Sequence, residues 1–300
     1  MTRIINYHIS SDEEGMSINE YLRGRFYPSK LITRLKHTDN SVCLNGVPIF
    51  LNTKLSADDA LTITFIDEEE SENVVPVKLP FGIVYEDEDI MVVDKPADMP
   101  VHPAINNFEN TLGNALAYYF RSKGESFVCH CINRLDRNTS GLLIVAKHRL
   151  SAAILSDFMK KREIHREYLA LAAGIFDDKS GTIDLPIGRV NDSIIERFVD
   201  FNNGASAVTH YSVVSEYDTD SFFCEPCSLL KVHLDTGRTH QIRVHMSYIG
   251  HPLLGDTLYN KKPGNLHRQA LHSHILEFTH PITLEKMRFE SDIDFTSSFS

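Results

Sequence analysis

One aspartate of this chain stands where its neighbours could make it reactive. The string Asn133-Arg134-Leu135-Asp136-Arg137-Asn138-Thr139-Ser140-Gly141 sets a single carboxylate between two arginines, adds two hydroxyls and closes on glycine. It runs into the apolar segment Gly141–Ala146, and loops carried on a rigid strand are where proteins usually present reactive groups. The same string also suits a turn in which Asp136 only caps backbone amides, and spacing alone does not separate the two. A second concentration, Thr236–His245, holds Arg238, His240, Arg243 and His245. His240 and His245 resemble half a metal site, but on a strand residues five apart point to opposite faces, so no metal is expected there. Cysteine supplies little more. Cys224-x-x-Cys227 is half a zinc spacing, yet the other half would be Cys129 and Cys131, whose strand places His130 on the opposite face. The five cysteines make no disulfide framework and are expected to be idle thiols in a reducing compartment. No glycine-rich loop joins a strand to a helix, so no nucleotide cofactor is expected.

The elements that must hold these groups fall into two blocks. Residues 67–80, DEEESENVVPVKLP, combine five acids in six residues with two prolines and predict an extended linker. It separates a small domain (1–66) from a large one (81–300), with no shared structure expected between them. In the small domain Ile18, Tyr21, Leu22 and Phe26 recur at helical spacing behind Ser17, a suitable N-cap. A second helix follows Pro28-Ser29, with Leu31, Ile32 and Leu35 inward and Lys30, Arg34 and Lys36 on its other side. Ser41–Leu44 and Val47–Phe50 flank Asn45-Gly46, a strong hairpin signal. In the large domain, strands are expected at Gly82–Tyr85, Ile90–Val93, Gly141–Ala146, Tyr168–Ala173, Thr209–Val214, Ser228–Leu234, Thr239–His245 and Leu271–Phe278. Leu150, Ala153, Ile154 and Phe158 form a helical stripe that ends in Lys160-Lys161-Arg162. Helices are few and do not alternate with strands, which predicts an α+β fold: a mixed, largely antiparallel sheet with peripheral helices.

Charge does not exclude a polyanionic partner. The formal net charge is −11, but residues 67–100 hold 11 acidic and 2 basic groups, while residues 1–66 balance at seven of each. The remaining 200 residues are nearly neutral, with 21 basic and 23 acidic groups, and so can carry a basic groove. No apolar run in this chain is long enough to span a membrane. Arg3, Asn6 and His8 stand where a signal peptide would be apolar, so a cytoplasmic protein is expected.

Taken whole, the Asp136 string closely resembles the catalytic motif of the RluA-type pseudouridine synthases. Four further stretches resemble the same family in the same order. They are Val84–Asp89 with Asp94-Lys95-Pro96-Ala97, Arg166-Glu167-Tyr168-Leu169-Ala170, Leu185-Pro186-Ile187-Gly188-Arg189, and Thr236–His245 continuing to His251–Asp256. Three positions depart from the pattern: Asn133 replaces a common His, Arg166 a common Lys, and Asp98 a usual Gly. The resemblance implies the pseudouridine synthase fold and isomerisation of uridine to pseudouridine in RNA, without cofactor. It implies Asp136 as the reacting carboxylate, Arg243 as the cation that keeps it ionised and Tyr168 against the uracil ring, where it could also help remove the C5 proton. Arg134 would fill the space of the flipped base. The small domain resembles the S4 RNA-binding module, which implies RNA contact by Lys30, Arg34 and Lys36. The expected partner is RNA, ribosomal before transfer, with no membrane, and the chain is expected to act as a monomer. Two other readings are a binding protein that has lost the reaction and a uracil-releasing glycosylase. The second would want a further carboxylate, and the motif offers none.

Overall fold

Strand β1 (Thr2–His8) leads into helix α1 (Ile18–Gly24), which starts where Ser17 can cap it. The Ser17 hydroxyl accepts from the Glu20 amide while the Glu20 carboxylate accepts from the Ser17 amide, so two amides that a helix start leaves free are satisfied. Helix α2 (Ser29–Lys36) follows, then β2 (Val42–Leu44) and β3 (Val47–Pro48). Asn45 and Gly46 join these strands with φ of 51° and 80°, the two left-handed residues that a tight hairpin needs. Strand β4 (Ala60–Ile66) pairs with β1 along its length and closes a sheet of order β1-β4-β2-β3. The computed structural model describes residues 2–66, 74–103, 108–125, 128, 130–191, 193, 195–219, 225–264 and 266–295. The acidic stretch Asp67–Glu72 of the expected linker lies outside them, as do Cys129 and Cys224.

The second sheet is built from β5 (Gly82–Glu86), β6 (Ile90–Lys95), β7 (His130–Cys131), β8 (Ser140–Ala146), β9 (His165–Ala173) and β10 (Ser180–Asp184), then β13 (Val208–Tyr217), β14 (Cys227–Leu234), β15 (Leu271–Thr279) and β16 (Lys286–Glu290). Its order is β10-β13-β14-β9-β15-β8-β6-β5, with β16 beside β15 and β7 beside β8. A small hairpin, β11 (Ile187–Arg189) with β12 (Arg197–Val199), stands apart. Pairing is antiparallel except between β8 and β15, which run parallel where Ser140 and Gly141 face His272 and Ser273. This is the α+β architecture the sequence predicts.

Strand β8 is buried throughout because both its faces are covered, as its continuous apolar run requires. Leu143 and Val145 pack with Leu112, Leu116 and Phe120 of helix α3 (Leu112–Ser122). Leu142, Ile144 and Ala146 pack with Leu150, Ile154 and Phe158 of helix α4 (Arg149–Lys160). That second cluster does not stop at the large sheet. It continues into Ile5, Tyr7 and Leu61 of the first sheet and Leu22 and Ile32 of α1 and α2, and Phe26 meets Phe158 edge to face at 5.0 Å. Arg3 of β1 grips Asp89 at 2.7 and 3.0 Å, and His148 shares the same carboxylate at 2.8 Å. The expectation of no shared structure between the two blocks is therefore overturned: the small block is seated on α4.

Thr239–His245, expected as a strand, turns at His240 and becomes helix α5 (Gln241–Tyr248). The alternating Ile242, Val244 and Met246 imitate strand period, and Gln241 through Met246 are all buried. A helix buried on every side shows no amphipathic stripe.

Candidate active site

The loop between β7 and β8 hangs over the ends of the central strands, and several backbone ties fix its shape. The Thr139 amide donates to the Asp136 carbonyl at 3.1 Å, and Met99 donates to the Arg137 carbonyl at 3.1 Å. Lys95, fully buried, gives its ammonium to the carbonyls of Pro96, Met99 and Arg137 at 2.7, 2.8 and 3.2 Å. Burial draws its pKa down to about 7, against the pull of the Asp136 charge. From the far side Arg268 donates to the Asn138 carbonyl at 3.1 Å. The unusual residues fit this frame. Asn133 accepts from the Ile144 amide at 2.9 Å, and Asp98 takes the left-handed backbone, φ 59°, while holding Arg137 at 2.7 Å. Gly141 is obligatory: its φ is 107° and any Cβ would overlap the Ser273 backbone of the parallel neighbour β15.

Helix α5 supplies the rest of the site. His240, in the left-handed turn that leads into α5, and Arg243, in the first turn of the helix, both address Asp136. Arg243 Nη1 donates to Asp136 Oδ2 at 3.0 Å, and His240 Nε2 lies 3.8 Å from the same oxygen. The other edge of the Arg243 guanidinium is bonded twice by Asp256, at 2.7 and 2.9 Å. Asp256 has no exposed surface and also accepts the amides of Leu258 and Tyr259, while the Tyr259 ring lies 5.0 Å from the Arg243 guanidinium carbon. Burial alone would lower the Arg243 pKa, but the bonds and charge of Asp256, with those of Asp136, raise it above its ordinary value. The guanidinium is a fixed cation with one carboxylate sealed behind it and one, Asp136, 24% exposed in front. Burial lowers the His240 pKa despite the nearby Asp136 charge, which favours the uncharged ring. His245 faces elsewhere, toward the Thr209 hydroxyl and the Leu185 carbonyl, and the two histidines do not converge.

These groups open onto a cleft of about 990 Å³, at the upper end of ordinary ligand sites. Tyr168 reaches it from β9, 4% exposed. Burial raises the Tyr168 pKa; Arg166, two residues before it, opposes that rise and the Asp136 charge adds to it. The cleft wall carries Arg134, Arg162, Arg166, Arg197, Arg238 and Lys160 besides Arg243, against two acids, Asp136 and Asp235. An acidic chain thus holds a basic groove. Arg134 is exposed on its wall and has no hydrogen-bond or ion-pair partner among the described residues.

The structure therefore brings Asp136, Arg243, Tyr168 and Arg134 together. It does not bring Lys30, Arg34 or Lys36 to the cleft: all three are exposed on α2, and Arg34 donates to the Ile66 carbonyl at 3.1 Å. The sequence assigned no role to Asp256, Lys95 or Tyr259 and considered His240 only as a rejected metal ligand, although Asp256, Lys95 and His240 lie inside stretches it had singled out. A second carboxylate does lie near Asp136, but Asp256 is spent on Arg243 and walled from the cleft. Elsewhere Asp87, Asp89 and His280 converge. Their lone pairs are in use, Asp87 by His280, Tyr85 and two amides, and Asp89 by Arg3 and His148.

Residues 89–248 match the family model described as RNA pseudouridylate synthase. The uncharacterized RNA pseudouridine synthase YjbO of Bacillus subtilis is 38% identical over 278 residues, 93% of this chain and 95% of that protein. The ribosomal large subunit pseudouridine synthase D of Pasteurella multocida is 33% identical over 306 residues, 96% and 91% of the two chains. Among solved structures, human RNA pseudouridylate synthase domain containing 1 superposes with a TM-score of 0.61 at 28% identity, over 74% of this chain and 86% of that one.

Proposed function

This chain belongs to the RNA pseudouridylate synthase family, and from that premise we propose that Asp136 is its reacting carboxylate and large-subunit ribosomal RNA its substrate. The observation that carries the site assignment is the Asp256–Arg243–Asp136 chain. A carboxylate that must react has to stay ionised while substrate excludes water, and burial would otherwise neutralise it. Arg243 supplies the opposing charge, and Asp256 stops Arg243 from swinging away.

The isomerisation breaks the bond from C1′ to N1, turns the uracil and joins C1′ to C5, with the C5 proton exchanged for one on N1, so RNA mass is unchanged. The uridine must first leave its stack, at a cost of a few kcal/mol. Arg134, exposed on the cleft wall, is proposed to enter the space left behind, where a planar guanidinium can stack and bond phosphate. Attack at C1′, addition at C6 and abstraction from C2′ all require a positioned carboxylate, and the Arg243 contact to Asp136 supports that role for it. Tyr168 is proposed to pack on the uracil ring. Its raised pKa keeps the phenol protonated, which suits packing and not proton abstraction in the resting site.

The substrate proposal rests on the Pasteurella protein's name and on the layout. Residues 1–66 are proposed as an S4-like RNA-binding domain using Lys30, Arg34 and Lys36, residues 67–80 as a linker and residues 81–300 as the catalytic domain. The chain is proposed to work as a monomer in the cytoplasm; no helix among the described residues is long and apolar enough to cross a membrane. Mapping pseudouridine in ribosomal and transfer RNA, with and without the gene, tests this reading. Sites should vanish from large-subunit RNA and return with the wild-type gene but not with Asp136→Asn. Loss confined to transfer RNA would overturn the substrate, and free uracil would mean glycosylase chemistry.

A further inference from the structure

Arg166 is a buried cation without a counter-ion. It is 7% exposed, lines the cleft, and its Nε is buried with no hydrogen-bond partner. No carboxylate forms an ion pair with it among the described residues. Arg243, equally buried, has two. Asp235, the other acid on the cleft wall, already faces Arg162, His210 and His233 at 3.7, 3.3 and 3.7 Å. Charges buried without partners are costly, and an unsatisfied polar group in a native interior calls for a cause.

Its surroundings indicate what would satisfy it. Arg166 and Tyr168 are two apart on β9 and so share the cleft face. The guanidinium lies against Gly237, where a side chain would begin only 3.3 Å from Nη1; glycine keeps that space open. A uracil ring over Tyr168 is neutral before the reaction, whereas the phosphodiesters on either side of a uridine are always anionic. We propose that Arg166 binds a phosphodiester oxygen flanking the uridine that Asp136 and Tyr168 address. The proposal rests on the RNA-isomerase reading. It also accounts for arginine in place of the lysine usual in the family pattern, since either side chain can carry the charge, and the fork adds a second bond.

The test uses the full chain and total RNA from cells lacking the gene, on which wild-type conversion is established first. Initial rates are measured against RNA concentration over a salt series for wild type, Arg166→Met, Arg166→Gln and Arg166→Lys, with melting curves to verify folding. In the Met and Gln proteins the half-saturating RNA concentration should rise about tenfold or more. The slope of log affinity against log salt should lose about one unit, the share of one phosphate. The saturating rate should stay within about threefold, and Lys should keep the slope. An unchanged slope and half-saturation in the neutral variants would overturn the proposal, as would a collapsed saturating rate at an unchanged slope, which would place Arg166 with Tyr168 and the base. Should the neutral variants not fold, a Lys protein whose slope falls by a unit overturns it equally. If wild type converts nothing, the isomerase reading fails instead.

Discussion

Replacing Arg243 by methionine should do two separable things. The guanidinium holds Asp136 in the cleft and Asp256 behind it, the latter with no exposed surface. Arg243→Met strands Asp256 as an unpaired buried charge, which costs about 3–5 kcal/mol out of a total stability of about 5–15 kcal/mol. For a chain of this size the melting temperature should fall on the order of 10 °C. Arg243→Met/Asp256→Asn removes the stranded charge and keeps an oxygen for the Leu258 and Tyr259 amides. It should regain most of the stability at neutral pH but none of the activity, because Asp136 still lacks its cation. Thermal unfolding and single-turnover pseudouridine formation on the same preparations decide it. A double variant with near wild-type rate would refute the role given to Arg243, and a single variant of unchanged stability would refute the energetics.

Asp136→Asn keeps the shape of the site and should lower turnover by several powers of ten, at about 1.4 kcal/mol per tenfold, while RNA affinity measured by filter binding stays within a fewfold. The Lys30→Gln/Lys36→Gln protein should bind RNA more weakly, with a salt slope smaller by about two, at an unchanged saturating rate; an unchanged slope would take α2 out of RNA contact. Deleting residues 1–76 is a poorer test than it looks from sequence, since it uncovers Ile154 and Phe158 and leaves Asp89 without Arg3; such a fragment should aggregate, as light scattering would reveal. Lys95 has a pKa of about 7 in the folded chain against about 10.4 unfolded. The unfolded chain binds the extra proton between these values, so this group makes stability rise with pH from about 7 to 10. In Lys95→Met that component of a denaturation series should be absent.

Much of the site was legible because its residues sit in contiguous strings. Asp136, Arg134 and the strand behind them are neighbours in sequence, and Ser17 and Asn45-Gly46 announce their own local geometry. The support was not legible, because it is made of contacts between distant segments. Asp256 is 120 residues from Asp136, and nothing in its own surroundings says that it faces an arginine. Helix α5 was missed because complete burial erased its periodicity, and with it went the turn at His240 that brings His240 and Arg243 to one carboxylate. The seating of the first sheet was hidden by an acidic linker that suggests independence. Phe26 and Phe158 each look like ordinary core residues until they are found touching.

That contact has a consequence for how a substrate is chosen. Helix α4 receives Phe26, from the turn between α1 and α2, at Phe158, and the next two residues, Met159 and Lys160, already line the cleft. At its other end His148 shares Asp89 with Arg3. Twelve residues of helix, about 18 Å, thus form a stiff beam with the small sheet fastened along it and the reaction chamber at its tip. An RNA held by Lys30, Arg34 and Lys36 of α2, as proposed, would meet Asp136 at a set reach and angle. Uridines would then be sorted by how far they stand from the anchored stretch, as on a ruler, before any atom of the base is read.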